Sequence, residues 1–285
     1  MLSEDFLRRL DALRIVLRSP AQGGAGGLRR SKALGTSVEF SDFREYAPGD
    51  DLRRLDWNAY ARFDRLFLKL FMEEQETQVN ILLDASASMA MYGKWEAAKA
   101  LAQLLGYLAL RGGDRVTLYA LGGEAAHSPA LSGRAGYMRA AEFLRKTIPA
   151  GELLLCEAVP RLPLRAGRGV CLLITDLMSP DGYETALQSL RYRKQETTLL
   201  HMLSPWEMNP ALEGMARLID RETGEAREMM ISWDLLRRYR EALDGLLRGA
   251  ETFCRAHETQ YLRLLSDMDI ENEALRALAN AGIVG

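Results

Sequence analysis

Asp84, Ser86 and Ser88 set three short oxygen-bearing side chains at alternate positions directly after a branched apolar run, Val79-Asn80-Ile81-Leu82-Leu83. One carboxylate and two hydroxyls converging from a tight loop offer anionic and neutral oxygens with room for water, as Mg²⁺ prefers and Mn²⁺ accepts. The same residues also have a plainer use, with Ser86 and Ser88 capping the next helix and Asp84 a buried, hydrogen-bonded carboxylate. A second carboxylate repeats the logic: Asp176 ends the apolar run Gly169-Val170-Cys171-Leu172-Leu173-Ile174-Thr175. Two carboxylates delivered to one place without a cation repel each other, so the pair predicts a shared ion.

The elements around these residues must bring them together. A short run of branched residues bounded by polar ones reads as a strand buried on both faces, the pattern of a parallel sheet, with its ligand edge at the carboxyl end. Gly93 to Arg111 carries Trp95, Ala98, Leu101, Leu104, Leu105 and Leu108 on one helical stripe, stopped by Gly112-Gly113, where a left-handed cap is wanted. Asp114 to Leu121 is the next strand, and a strand, helix and strand in this order make a right-handed crossover with parallel strands. Further helices are expected over 137–148, 151–159 and 182–193, and strands over 197–203 and 260–265. A hairpin pairing Met215 to Asp220 with Ala226 to Ile231 is placed at an edge, and long and short helices follow from Trp233 to His257 and Ile270 to Ala281. The fold class is α/β, a mostly parallel sheet flanked by helices.

Residues 1–76 divide from this body. Residues 3 to about 18 read as an amphipathic helix stopped by Ser19-Pro20, and the glycines of 23–27 as a flexible loop without phosphate-cradle spacing. From Gly35 to Glu76 charges of both signs interleave with aromatics. Pro48-Gly49 suits a type II turn, and Asp50 or Asp51 is placed to cap a short helix running through Trp57. Such a segment can build bidentate Arg–Asp pairs or offer them to a partner, and Arg44, Asp50, Asp51, Arg53, Asp56 and Trp57 are its candidate binding residues.

Composition closes off several classes. The chain has 285 residues, 48% of them hydrophobic and 27% charged, with net charge −2. The basic excess of a nucleic-acid binder is absent. No apolar run reaches the length of a membrane span, so direct membrane insertion is not expected, and the N-terminus lacks a signal-peptide core. Cys156, Cys171 and Cys254 are far apart, as ordinary thiols in a reducing compartment would be, and a cytoplasmic location is expected. His127, His201 and His257 have no metal-ligand spacing, and structural or exposed roles are assigned to them.

Asp84-Ala85-Ser86-Ala87-Ser88 resembles the first loop of the metal-ion-dependent adhesion site of von Willebrand factor A domains. The longer series Glu39-Phe40, Arg44-Glu45-Tyr46-Ala47-Pro48-Gly49-Asp50-Asp51-Leu52-Arg53, Asp56-Trp57, Ala61-Arg62, Lys69, Glu73-Glu74 and Ile81 to Met89 resembles the bacterial domain of unknown function 58 family. Its members are similar to von Willebrand A proteins and are commonly associated with MoxR-type AAA+ ATPases. The resemblance implies that Ser86 and Ser88 coordinate the ion, Asp84 sits beside it, Asp176 orients a water, and an open position accepts a partner's Asp or Glu. In that scheme the second loop supplies a threonine, but Glu152 stands in its neighbourhood here and Thr147 lies before Pro149.

The resulting expectation is a non-enzymatic adaptor or assembly factor binding Mg²⁺ or Mn²⁺, its partner a MoxR-type AAA+ ATPase or a client of one. Two alternatives stand beside it. One is a metal-free scaffold binding through the charged 35–76 module. The other is a Mg²⁺-dependent phosphatase with Asp84 as nucleophile, opposed by Ser86 where that chemistry wants a second acid.

Overall fold

A computed structural model describes residues 4–10, 13–16, 40–47, 55–71, 77–123, 125–165, 167–219 and 224–285. The chain forms two compact units, one of residues 1–22 with 77–285 and one of residues 23–76.

The larger unit is built on a six-stranded sheet. β3 (Gln78–Asp84) lies at its middle, between β4 (Arg115–Leu121) and β6 (Gly169–Thr175), with β7 (Gln195–Leu203) and β10 (Gln260–Leu265) beyond β6 and the two-residue β5 (Ala126–His127) beyond β4. All neighbours pair in parallel except β5. Because successive side chains of a strand point to opposite faces, β3 serves two cores. Val79, Ile81 and Leu83 enter a cluster with Leu101, Leu105 and Leu118, while Leu82 enters another with Leu173, Leu187 and Leu199. Each fully buried leucine contributes about 2 kcal/mol by leaving water, which is why every central strand is apolar along its length.

Helices cover both faces. α3 (Lys94–Arg111) and α4 (Gly133–Lys146) belong to the first cluster; α6 (Glu184–Tyr192) and α8 (Trp233–Ala256) contribute to the second, through Leu187 and Ala250 among others. Gly113, with φ +86°, takes the left-handed position after α3. Short helices α5 (Leu155–Ala158), α7 (Pro205–Met208) and α9 (Leu275–Asn280) complete the unit. The hairpin β8 (Gly214–Ile219) and β9 (Ala226–Ile231) forms with the expected pairing, Met215 opposite Met230, but as a separate two-stranded sheet rather than an edge of the main one.

The N-terminus corrects the division at residue 76. α1 (Glu4–Arg9) buries Phe6 and Leu10 in the first core cluster, so the start of the chain belongs to the larger unit. The helix is also shorter than the periodicity of residues 3–18 predicts. Ile15 forms an antiparallel bridge with Val284, Arg14 N donates to Gly285 O and Val16 N to Ile283 O. Two β-branched residues in succession favour this extended pairing, and the amphipathic pattern is met by strand contact instead of helix.

In the smaller unit, β1 (Phe40–Glu45) pairs antiparallel with β2 (Phe67–Phe71), and α2 (Trp57–Phe63) lies between them in sequence. The helix starts where it was expected to end. Asp56 is its cap, its Oδ1 accepting from Asn58 N at 2.9 Å and Ala59 N at 3.2 Å.

If the first residues are core, then Leu10→Ala costs about 3 kcal/mol in urea denaturation of the full chain. Tyr192→Ala, at a side chain 91% exposed, shifts stability by less than about 0.5 kcal/mol in the same assay.

Candidate functional site

The parallel sheet sets its functional edge by topology. β3, β6 and β7 run the same way, so Asp84, Asp176 and the turn after Leu203 leave the sheet side by side. The chain after β3 is held by backbone bonds from two neighbours: Ala85 N donates to Leu121 O, Ala150 N to Ala85 O and Ala87 N to Gly151 O. Gly122 makes the first approach possible. A Cβ there would stand 2.7 Å from the Ala85 carbonyl, and its φ of +130° is one L side chains rarely adopt.

Within this loop Asp84, Ser86 and Ser88 meet as their spacing suggests. Asp84 Oδ1 accepts from Ser86 N at 2.9 Å and Ser86 Oγ at 2.5 Å; Ser86 Oγ, having donated its proton, accepts from Ser88 Oγ at 2.9 Å. Thr175 Oγ1 donates to Asp84 Oδ2 at 2.7 Å and accepts from Leu177 N. Asp84 is 1% exposed and Ser86 2%, while Ser88 is half-buried and forms the outer member of the row. Ser86 and Ser88 therefore turn toward Asp84 rather than cap the helix that follows, and α3 has Gly93 as its cap.

Asp176 is wholly buried in the same region but has a partner that the sequence reading did not single out. Lys94 Nζ, 1% exposed at the first position of α3, donates to Asp176 Oδ2 at 2.7 Å and to Glu207 Oε1 at 2.5 Å. Asp176 Oδ1 accepts from Met178 N, and Glu207 Oε2 accepts from the backbone and hydroxyl of Ser204 in a reciprocal capping box that starts α7. His201 lies beneath, Nε2 donating to the Asp176 carbonyl and Nδ1 accepting from the Tyr261 hydroxyl. Burial depresses its pKa to about 4 and keeps the ring neutral. Its structural assignment stands on this pairing.

The electrostatics follow from burial and charge count. Burial first, and then the charge of Asp176, raise the Asp84 carboxyl to about 6 despite three hydrogen bonds that favour its ionised form. Burial alone would lower Lys94, but the charges and hydrogen bonds of Asp176 and Glu207 outweigh it and hold the ammonium above its ordinary value. Lys94 thus gives one positive charge to two buried carboxylates, Asp176 and Glu207.

Whether a divalent ion suits this set is a matter of donor chemistry. Asp84, Ser86 and Ser88 present hard oxygens with lone pairs left over, and the Asp84 carboxylate is not one of the two acids that Lys94 bonds. Those residues fit Mg²⁺ or Mn²⁺. Asp176 fits less freely than the resemblance implies, because one of its oxygens already holds the Lys94 ammonium. Among the described residues, no group of three or more His, Cys, Asp or Glu side chains is gathered as a ready metal cluster, so the serine hydroxyls are needed. Glu152 is exposed in the second loop, next to the Gly151 carbonyl that holds Ala87.

The candidate residues of the smaller unit are less concentrated. Asp56 is 8% exposed and occupied as a helix cap, and Trp57 is 64% exposed with its ring edge-on to Tyr60. Arg44 lies in β1, and Asp50, Asp51 and Arg53 fall outside the described residues.

Lys94, Glu207 and Thr175 were not picked out from sequence, though two of them left signals. A lysine at the first turn of a helix opposes the helix dipole and needs an anionic reason to be there. Ser204-Pro205-Trp206-Glu207 carries capping-box spacing.

Residues 42–244 match the family described as Protein of unknown function DUF58. The chain is 28% identical over 236 residues to Uncharacterized protein Mb1516 of Mycobacterium bovis, covering 78% of this chain and 73% of that protein. The same figures relate it to Uncharacterized protein Rv1480 of Mycobacterium tuberculosis. Among solved structures it is similar to BatB from Bacteroides thetaiotaomicron, at 17% identity and TM-score 0.44, covering 72% of this chain and 98% of that one. It is also similar to the vWF domain of the pilus tip protein Mfa5 from Porphyromonas gingivalis, at 12% identity and TM-score 0.29, covering 73% and 85%.

The raised Asp84 pKa has a sign that can be checked. The folded state holds this proton more tightly than the unfolded chain, so without metal, stability is greatest below pH 4 on this account and is lost as pH rises through about 6. Chelator-treated protein is expected to lose about 3 kcal/mol from this group across that window, and Asp84→Asn to flatten its contribution, in denaturant titrations at successive pH values.

Proposed function

We propose, from a chain that belongs to the DUF58 family and has a von Willebrand A-like α/β fold, a non-enzymatic protein-binding module that works through a divalent cation held by Asp84, Ser86 and Ser88. The observation that carries this reading is the row of three hard-oxygen side chains ordered from a buried carboxylate to a half-exposed hydroxyl, at the carboxyl edge of a parallel sheet. When bound, Mg²⁺ or Mn²⁺ would supply a Lewis-acidic position for an Asp or Glu of the partner.

The chain's own residues prepare that position. Asp84 contributes the anionic oxygen and is oriented by Thr175 and the Ser86 amide. Ser86 and Ser88 contribute neutral oxygens, which leave net positive charge on a bound ion to be satisfied from outside. Asp176 supports the patch electrostatically from its pair with Lys94. Nucleophilic use of Asp84 is disfavoured by the same contacts, since both oxygens accept strong hydrogen bonds and the side chain is 1% exposed.

The family resemblance points to a MoxR-type AAA+ ATPase, or a client presented to one, as partner, with adaptor or assembly as the role. A cytoplasmic setting accords with three free cysteines. No helix among the described residues is long and apolar enough to cross a membrane. A metal-free scaffold remains the second reading, and one feature of the smaller unit favours it: Trp57, Tyr60 and Phe63 of α2 are exposed by 64%, 42% and 67%, an aromatic surface suited to protein contact.

In thermal melts, Mn²⁺ or Mg²⁺ is expected to raise Tm saturably in wild type, by mass action on the folded form. Asp84→Ala and Ser86→Ala are expected to remove that response. A flat melt up to millimolar metal, together with partner capture that survives chelator, would move the function to the 35–76 module.

A further inference from the structure

The pair of buried acids around Lys94 has a consequence for how the site is controlled. We infer that Lys94 is a built-in competitor for the divalent cation: its ammonium is shared between Asp176 and Glu207 in the resting chain, and cation uptake shifts it toward Glu207 and the turn that Glu207 starts. This rests on the metal-binding reading above and adds a positioning residue and a coupled element to it.

Three features carry the inference. First, the two acids are anchored and the ammonium is the movable member. Asp176 is tied by Met178 N to Oδ1 and by His201 at its carbonyl, and Glu207 by Ser204 N and Oγ to Oε2, whereas Lys94 reaches both acids at the end of a four-carbon stem. Second, Asp176 follows Thr175, whose hydroxyl donates to Asp84 Oδ2 at 2.7 Å, so the two carboxylates stand at the ends of neighbouring strands β3 and β6. A divalent ion beside Asp84 and an ammonium on Asp176 are therefore like charges at adjacent strand ends in a poorly solvated patch, and each weakens the other. Third, the second acid is connected to a visible surface element. Glu207 belongs to α7, whose Trp206 stacks on Tyr92 with ring centres 4.5 Å apart, and the Glu207 carbonyl accepts from the Tyr239 hydroxyl. Tyr92 stands in the loop that leads from Ser88 to Lys94 and holds a left-handed φ of +51°. A change in how Lys94 divides itself between the acids is thus transmitted to the Tyr92–Trp206 stack beside the site.

The test is a set of Mn²⁺ affinities on the full chain, read as free Mn²⁺ by electron paramagnetic resonance. Lys94→Gln removes the competing charge and frees Asp176, so binding is expected to tighten about tenfold or more. Glu207→Gln leaves Asp176 as the only acid partner of Lys94, so binding is expected to weaken severalfold. Lys94→Met combined with Glu207→Gln removes charge in balance and is expected to bind as tightly as Lys94→Gln. A residue of purely structural importance would weaken binding in all three, and that result overturns the inference while wild-type binding keeps the site. If Lys94→Gln leaves two buried acids unanswered and fails to fold, Glu207→Gln and the double variant decide it by their opposite signs. Absence of Mn²⁺ binding in wild type and every variant overturns the metal reading and this inference with it. For the coupling, Mg²⁺ is expected to change tryptophan fluorescence in wild type and not in Trp206→Phe or Glu207→Gln; a Mg²⁺ signal that persists in both overturns the link to α7.

Discussion

Three carboxylates, Asp84, Asp176 and Glu207, leave neighbouring parts of one sheet edge, and the ammonium of Lys94 is the charge that allows two of them to be buried. Breaking such a pair by removing one partner costs several kcal/mol, yet an apolar replacement of the whole group is often neutral or stabilising. Stability alone therefore does not account for charges at this place. What they accomplish is position: Lys94 draws the start of α3, the loop after β6 and the turn at α7 to a common point. It does so from a helix N-terminus, where its charge opposes the helix dipole and is offset by the two acids.

The sheet supplies the rigid frame for this arrangement. Parallel strands bring their carboxyl ends to one side, so residues 84, 176 and 204–207 become neighbours although the chain separates them widely. The loop after β3 is then held through its backbone, by Leu121, Ala150 and Gly151, which leaves its short side chains free for one another. Gly122 is part of that clamp because any Cβ would strike the Ala85 carbonyl. A row running from buried Asp84 to half-exposed Ser88 results, graded from anionic to neutral and from dry to wet.

Much of this was legible in residue patterns. The apolar runs before Asp84 and Asp176, the stripe of α3 and the pairing of β8 with β9 emerged as expected, because burial on two faces, helical periodicity and hairpin alternation are local signals. The strand ends predict one ion shared by Asp84 and Asp176, and the structure adds what no strand pattern shows, a positive charge on Asp176 that comes from the chain itself. Residues 13–16 show the limit of periodicity: Ile15 and Val16 fit a helical stripe, and their pairing with Ile283 to Gly285 across the whole chain length is invisible to any local window.

The linear order of residues by itself determined the fold class, the place of Asp84, Ser86 and Ser88 at a strand end, and the family to which the chain belongs, since each depends on neighbours within a few positions or on a long ordered motif. Only the tertiary structure decided that α1 joins the core of residues 77–285, that Thr175 steadies Asp84, and that Lys94 lies between Asp176 and Glu207. The reason is range. A long cationic side chain reads as solvated wherever its partners are 82 and 113 residues away, and the cost of burying it becomes visible only when the folded chain brings those partners to it.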